Sequence, residues 1–209
     1  MKNLDAIVPE LATYIPKYNQ SKTAISEAAV GWHIEHCLLV IKQITSTVAQ
    51  SEPKLYKYKF NMSRFFVFLS KTIPRGKAKA PKVVIPTDEI TSENLQEHLK
   101  NTYGAITYLK DCEENQYFMH PFFGQLNKKQ TIKFLAIHTE HHLKIIRDIL
   151  EWRQLNKLKM FFQTKFYPLH TNGLPRNEPS LQIIRNLIFR KFGVSRQSVG
   201  HGAYSRTRY

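Results

Sequence analysis

Two histidines four residues apart, His138 and His142, lie in the segment Phe134-Leu135-Ala136-Ile137-His138-Thr139-Glu140-His141-His142-Leu143-Lys144-Ile145-Ile146. At about 3.6 residues per turn, side chains at i and i+4 stand one above the other on a single helical face. That spacing lets two imidazoles grip one metal ion. The same stripe carries Leu135, Ile145, Ile146 and Ile149, so the pair points into a core, where a histidine belongs only if its nitrogens find partners. Two stacked there ask for a metal. His141 falls one residue off the stripe and reads as a half-exposed neighbour. Glu140 falls on the far face, and the segment is not HExxH, which leaves out a zincin-type general base.

A metal needs a third ligand, and the segment Trp32-His33-Ile34-Glu35-His36-Cys37-Leu38-Leu39-Val40 offers two histidines. On a helical projection His33 lies beside the Val30, Cys37 and Ile41 stripe, whereas His36 lies further round, between Ala29, Trp32 and Val40. Geometry alone leans slightly towards His33 and does not settle the choice. Cys37 sits on the apolar stripe and reads as a small core residue. Three histidines would leave a coordination position for water or substrate, the open arrangement of a catalytic site. Neutral imidazole suits Zn, Ni or Fe equally, so the ligand type does not name the ion.

The elements that must position these residues are helical. A short helix is expected from Leu4 to Ile15, closed by Pro16, and a long one over residues 24–49, with Val30, Ile34, Cys37, Ile41, Ile44 and Val48 at spacings of three and four. The aromatic stretch Tyr56 to Ile73 includes Phe65, Phe66 and Phe68, which are expected to fill the core. Residues 74–82 break regular structure and read as solvated basic charge. Thr91 opens a third helix to about Asn115, with Leu95, Leu99, Tyr103, Ile106 and Leu109 as its buried face. The loop His120-Pro121-Phe122-Phe123-Gly124 follows, and His120 in it reads as capping nearby backbone, or less favourably as a helper at the metal cleft. Asn127 with Gln130 three residues on caps the last helix, expected to end near Trp152.

No alternating strand pattern is convincing, so four amphipathic helices suggest an all-α four-helix bundle, in which metal sites are built from inward side chains of facing helices. The domain is expected over residues 1–152, followed by a basic C-terminal extension, 153–209, partly helical around Ser180 to Phe192 and otherwise disordered. Of the formal charge of +15 on 209 residues, +10 falls after Trp152, where eleven Lys/Arg meet one acidic residue, Glu178. Nucleic-acid or anionic-surface binding through that segment is therefore an alternative, disfavoured by the lack of a motif or regular basic spacing. The longest apolar run, Phe65 to Leu69, is five residues, too short to span a membrane. Two cysteines without metal-finger spacing and no signal-peptide pattern imply a cytoplasmic protein.

Val30-Gly31-Trp32-His33-Ile34-Glu35-His36, Pro74-Arg75-Gly76-Lys77, His120-Pro121-Phe122-Phe123-Gly124 and His138-Thr139-Glu140-His141-His142 occur in this order. With these stretches the chain, over about residues 1–151, resembles the DinB-like superfamily, within it a branch of small uncharacterised proteins. The resemblance implies a four-helix bundle with a long connection between helices two and three. It implies a divalent metal held by one His from helix two and an HxxxH pair from helix four, here His36, His138 and His142. It further implies a metal-dependent enzyme acting on a small-molecule substrate, as a thiol S-transferase or hydrolase, and homodimers are common among similar proteins. A non-catalytic, stress-associated metal-binding bundle is the alternative from another class.

Overall fold

The structure, a computed structural model, describes residues 3–75, 81–87 and 89–166, with side chains to Trp152. Five α-helices and one small sheet follow in the order α1 (Leu4–Ala12), α2 (Val30–Ala49), α3 (Met62–Ser70), α4 (Ser92–Asp111), β1 (Tyr117–His120), β2 (Gly124–Asn127) and α5 (Lys128–Phe166) among the described residues. The chain divides into two compact units, Met1–Phe162 and Gln163–Tyr209. The expectations for Ser180 to Phe192 and for the final residues lie outside the described residues.

The core is helical. Leu4, Ile7 and Leu11 of α1, Ile34, Cys37 and Ile41 of α2, Leu95 and Leu109 of α4, and Leu135, Leu143 and Ile149 of α5 are buried in one cluster. The α1 and α2 sets recur at spacings of three, four and seven, so each of these helices turns one apolar stripe inward. Arg147 fastens α5 to α1 by donating to Glu10, and it also holds Glu140 at 2.8 Å. No described helix is long and apolar enough to cross a membrane.

Several elements differ from expectation, each for a physical reason. Helix α2 begins at Val30 rather than near residue 24. Its first N–H groups are taken by loop carbonyls: Val30 N donates to Gln20 O at 2.8 Å and Gly31 N to Tyr18 O at 2.7 Å. A Cβ on Gly31 would meet Ile90 Cγ2 at 2.8 Å and Tyr18 O at 3.0 Å, so this close approach requires glycine. Helix α5 runs past Trp152 to Phe166; no Gly or Pro occurs between Gly124 and Pro168 to stop it.

The motif His120-Pro121-Phe122-Phe123-Gly124 is the tip of a β-hairpin that the sequence reading did not include. His120 pairs with Gly124, and Gly124 takes φ 70°, the left-handed residue of a three-residue hairpin loop. Two further corrections concern burial. Phe65 and Phe66 are exposed rather than in the core, and Tyr103 is also exposed; Phe68 does pack against the core.

Hairpin and α5 meet at a reciprocal cap. Gln130 N donates to Asn127 Oδ1 at 3.0 Å, and Asn127 N donates to Gln130 Oε1 at 3.2 Å. This capping box satisfies two backbone donors at the start of the helix that carries His138 and His142. Asn127→Ala is expected to lower stability by about 1 kcal/mol, read as an earlier urea midpoint with unchanged slope.

Candidate metal centre

His36 projects from α2, and His138 and His142 from adjacent turns of α5. One ligand nitrogen from each lies within 4.8 Å of the others, and the ring centroids are 4.7 to 5.2 Å apart. The three residues that the family resemblance implied are thus brought together, in the N-terminal half of α2. His36 and His142 are buried, and His138 is half-buried.

The hydrogen bonds separate His36 from its rival. His36 Nδ1 donates to Val84 O at 2.7 Å, which leaves the lone pair of the neutral ring on Nε2. Its ring also stacks on Trp32, with centroids 5.0 Å apart and planes within 12°. Both nitrogens of His33 are engaged instead: Nδ1 meets His142 Nδ1 at 3.0 Å and Nε2 meets Ser26 Oγ at 3.0 Å. One proton must lie between the two Nδ1 atoms. With that proton on His142, His142 Nε2 is free as a ligand, His33 Nδ1 accepts, and His33 Nε2–H donates to the Ser26 hydroxyl. His33 therefore sits behind His142, orienting its ring as outer partners of metal-bound histidines do.

Nδ1 of His138 is buried without a hydrogen-bond partner, as are the hydroxyls of Thr45 and Thr139. An unpaired buried imidazole nitrogen is costly, and neutral imidazoles are donors that divalent ions of the zinc, nickel and iron type accept. The residues therefore fit a metal.

Electrostatics agree with that donor set. Burial holds His138 and His142 well below the ordinary histidine range, and the neighbouring imidazoles press them further in that direction. Burial lowers His36 too, against the opposing pull of its bond to Val84. It brings His33 down to about 4, with His36, His141 and Arg75 adding to the effect. All four are neutral at pH 7, the state in which imidazole is a ligand.

The remaining candidates fall outside the cluster. His141 is half-buried on the flank of α5. His120 accepts from the N–H groups of Phe122 and Phe123 at 3.1 and 3.2 Å, so it caps the hairpin tip as expected. It reaches the centre only through Phe134, whose ring lies 4.8 Å from His120 and 5.8 Å from His138. Cys37 is fully buried, and burial pushes its thiol up; it is a core residue. Arg75 of the basic loop pairs with Asp148 at 2.7 Å. Sequence reasoning missed Ser26, Val84 and the pairing of Glu35 with His98 Nδ1 at 2.8 Å. Ser26 lies in a loop and Val84 in a single 3-10 turn, both too short for a periodic pattern, and Glu35–His98 joins separate helices.

Residues 2–148 match the sequence model of a family described as a protein of unknown function (DUF1569), and the chain belongs to that family. No curated protein and no solved structure matches it.

Acid should unfold this protein in a defined window. Histidine in the unfolded chain takes up its proton near pH 6.5, whereas His33 and His120 in the folded chain do so only near pH 4. The unfolded state therefore binds more protons between these limits. Stability is complete above about pH 6.5 and is lost as pH falls towards 4. His33 alone should cost about 2 kcal/mol between pH 7 and pH 5. Urea midpoints measured across that range should fall steadily; a flat profile would contradict the neutral cluster.

Proposed function

We propose that this chain is a DinB-like four-helix bundle carrying a divalent metal on His36, His138 and His142, and that it acts as a metal-dependent thiol S-transferase or hydrolase on a small molecule. The reading rests on one observation above others: three neutral imidazoles converge within 4.8 Å, and the buried Nδ1 of one of them is unpartnered. In this reading α1, α2, α4 and α5 are the bundle helices, and residues 50–91 are the long connection between its second and third helices. Three protein ligands leave a position open to water or substrate. A divalent ion held there supplies a Lewis acid that activates a water or a thiol at neutral pH.

The protein's own groups then have distinct tasks. Val84 O holds the His36 ring with its Nε2 towards the centre. His33 and Ser26 hold His142 in the matching tautomer. The aromatic rings of Trp32 and Phe134 flank the cluster and restrict water around it, which strengthens electrostatic interactions inside.

Protein purified without chelator should contain about one equivalent of divalent metal, as one three-histidine site demands. The His138→Ala/His142→Ala variant should contain none, and His33→Ala should bind about 10- to 100-fold more weakly. No metal under any supplementation would remove the basis of the reading. A metal-loaded protein inert in both thiol-conjugation and hydrolysis assays would overturn its enzymatic half alone.

A further inference from the structure

Helix α3 presents an apolar stripe to solvent. Met62, Phe65, Phe66 and Leu69 stand at i, i+3, i+4 and i+7, so they share one face, and each is 47–67% exposed. The opposite face holds the helix in place. Arg64 is buried and donates to Phe123 O at 3.3 Å and Gln125 O at 3.1 Å, and also to Lys59 O. Val67 and Phe68 pack against the core. Asn61 caps the helix by accepting from Arg64 N at 2.8 Å, and its Nδ2 donates to Phe122 O at 3.0 Å. The hairpin therefore fixes the rotation of α3, and the outward apolar face is a built feature.

The patch extends into the preceding segment. Tyr58 and Phe60 are exposed there, and the Phe60 and Phe66 rings lie 6.0 and 5.5 Å from Phe65. Between these segments opens a cleft of about 290 Å3 that Lys133 also borders. Exposed apolar residues collected in this way mark an interaction site.

Charge identifies the partner. No acidic residue occurs between Glu52 and Asp88, while nine Lys/Arg do, and Lys54, Lys57, Lys59 and Lys71, which flank the stripe in sequence, are exposed. A second copy would bring one lysine-rich segment against another. The C-terminal segment is itself strongly basic, so its charge does not complement this face. The complement must be anionic and apolar together. Single-stranded nucleic acid is anionic, but Met62 and Leu69 offer nothing for a base to stack on. Phe65 and Phe66 moreover meet edge to face at 74° rather than as a stacking platform.

We propose that this face docks peripherally on an anionic phospholipid bilayer, with the α3 stripe entering the headgroup–acyl boundary and the lysines facing the lipid charges. Such contact follows from apolar area plus basic residues on a surface helix and needs no spanning segment.

The test uses the full chain and vesicles of phosphatidylcholine with or without phosphatidylserine. Co-sedimentation should require phosphatidylserine and should weaken with salt. Phe65→Ser/Phe66→Ser/Leu69→Ser, which alters exposed side chains, should reduce partition about tenfold or more, as should Lys54→Glu/Lys57→Glu/Lys59→Glu. Circular dichroism should be unchanged in both. As an independent readout of depth, Phe66→Trp should be quenched by brominated lipid. Vesicle binding untouched by both sets of substitutions would assign it to the C-terminal segment and overturn the proposal. So would absence of quenching, a homodimer that dissociates in the patch variants, or patch-dependent binding to oligothymidylate in preference to vesicles.

Discussion

Four imidazoles, those of His33, His36, His138 and His142, share one buried region, and none can carry its charge there without losing hydration that the apolar surroundings do not replace. Much of the surrounding structure answers that constraint. Each neutral ring has one donor and one acceptor nitrogen, and each must be placed so that like does not meet like. Val84 receives the proton of His36. His33 bridges Nδ1 of His142 to the Ser26 hydroxyl. What is left over is three imidazoles, those of His36, His138 and His142, close enough together to hold one metal ion.

The helices that deliver these rings come from distant parts of the chain. His36 and His138 are separated by about 100 residues, and the carbonyl that orients His36 lies beyond α3 in a short 3-10 turn, Lys82–Val84. The site therefore depends on the connection as much as on the helices. Gly31 is part of the same dependence, since its missing side chain lets the Tyr18 carbonyl close the first turn of α2 only two residues before His33.

How far the amino-acid sequence carries the site differs from residue to residue. The i, i+4 spacing of His138 and His142 is local, and a local pattern is visible without a fold. The partners that distinguish His33 from His36 lie on other segments, which no helical projection contains. Family resemblance supplied His36, and the hydrogen bonds supply a reason for it. Thr91 and Asn127 were readable as caps because capping is a matter of three residues. The hairpin was not readable, because its strands are four residues long and its turn depends on one glycine at positive φ. Phe65 and Phe66 show the limit of hydrophobic periodicity: the stripe is real, but periodicity does not say which side of a helix faces the core. Here the buried guanidinium of Arg64 decides it.

The reciprocal cap at Asn127 and Gln130 also has an evolutionary consequence. It anchors α5 in angle as well as in position, and His138 follows it by eleven residues. One residue gained or lost in that interval would turn everything beyond it by about 100° and shift it by about 1.5 Å along the axis, swinging both imidazoles out of reach of His36. An insertion or deletion in the first three turns of α5 is therefore expected to break the cluster. A change of length must be absorbed upstream of the cap or beyond His142, so a fixed count between Asn127 and His138 is a hallmark by which related chains with the same centre can be sorted from those that have lost it.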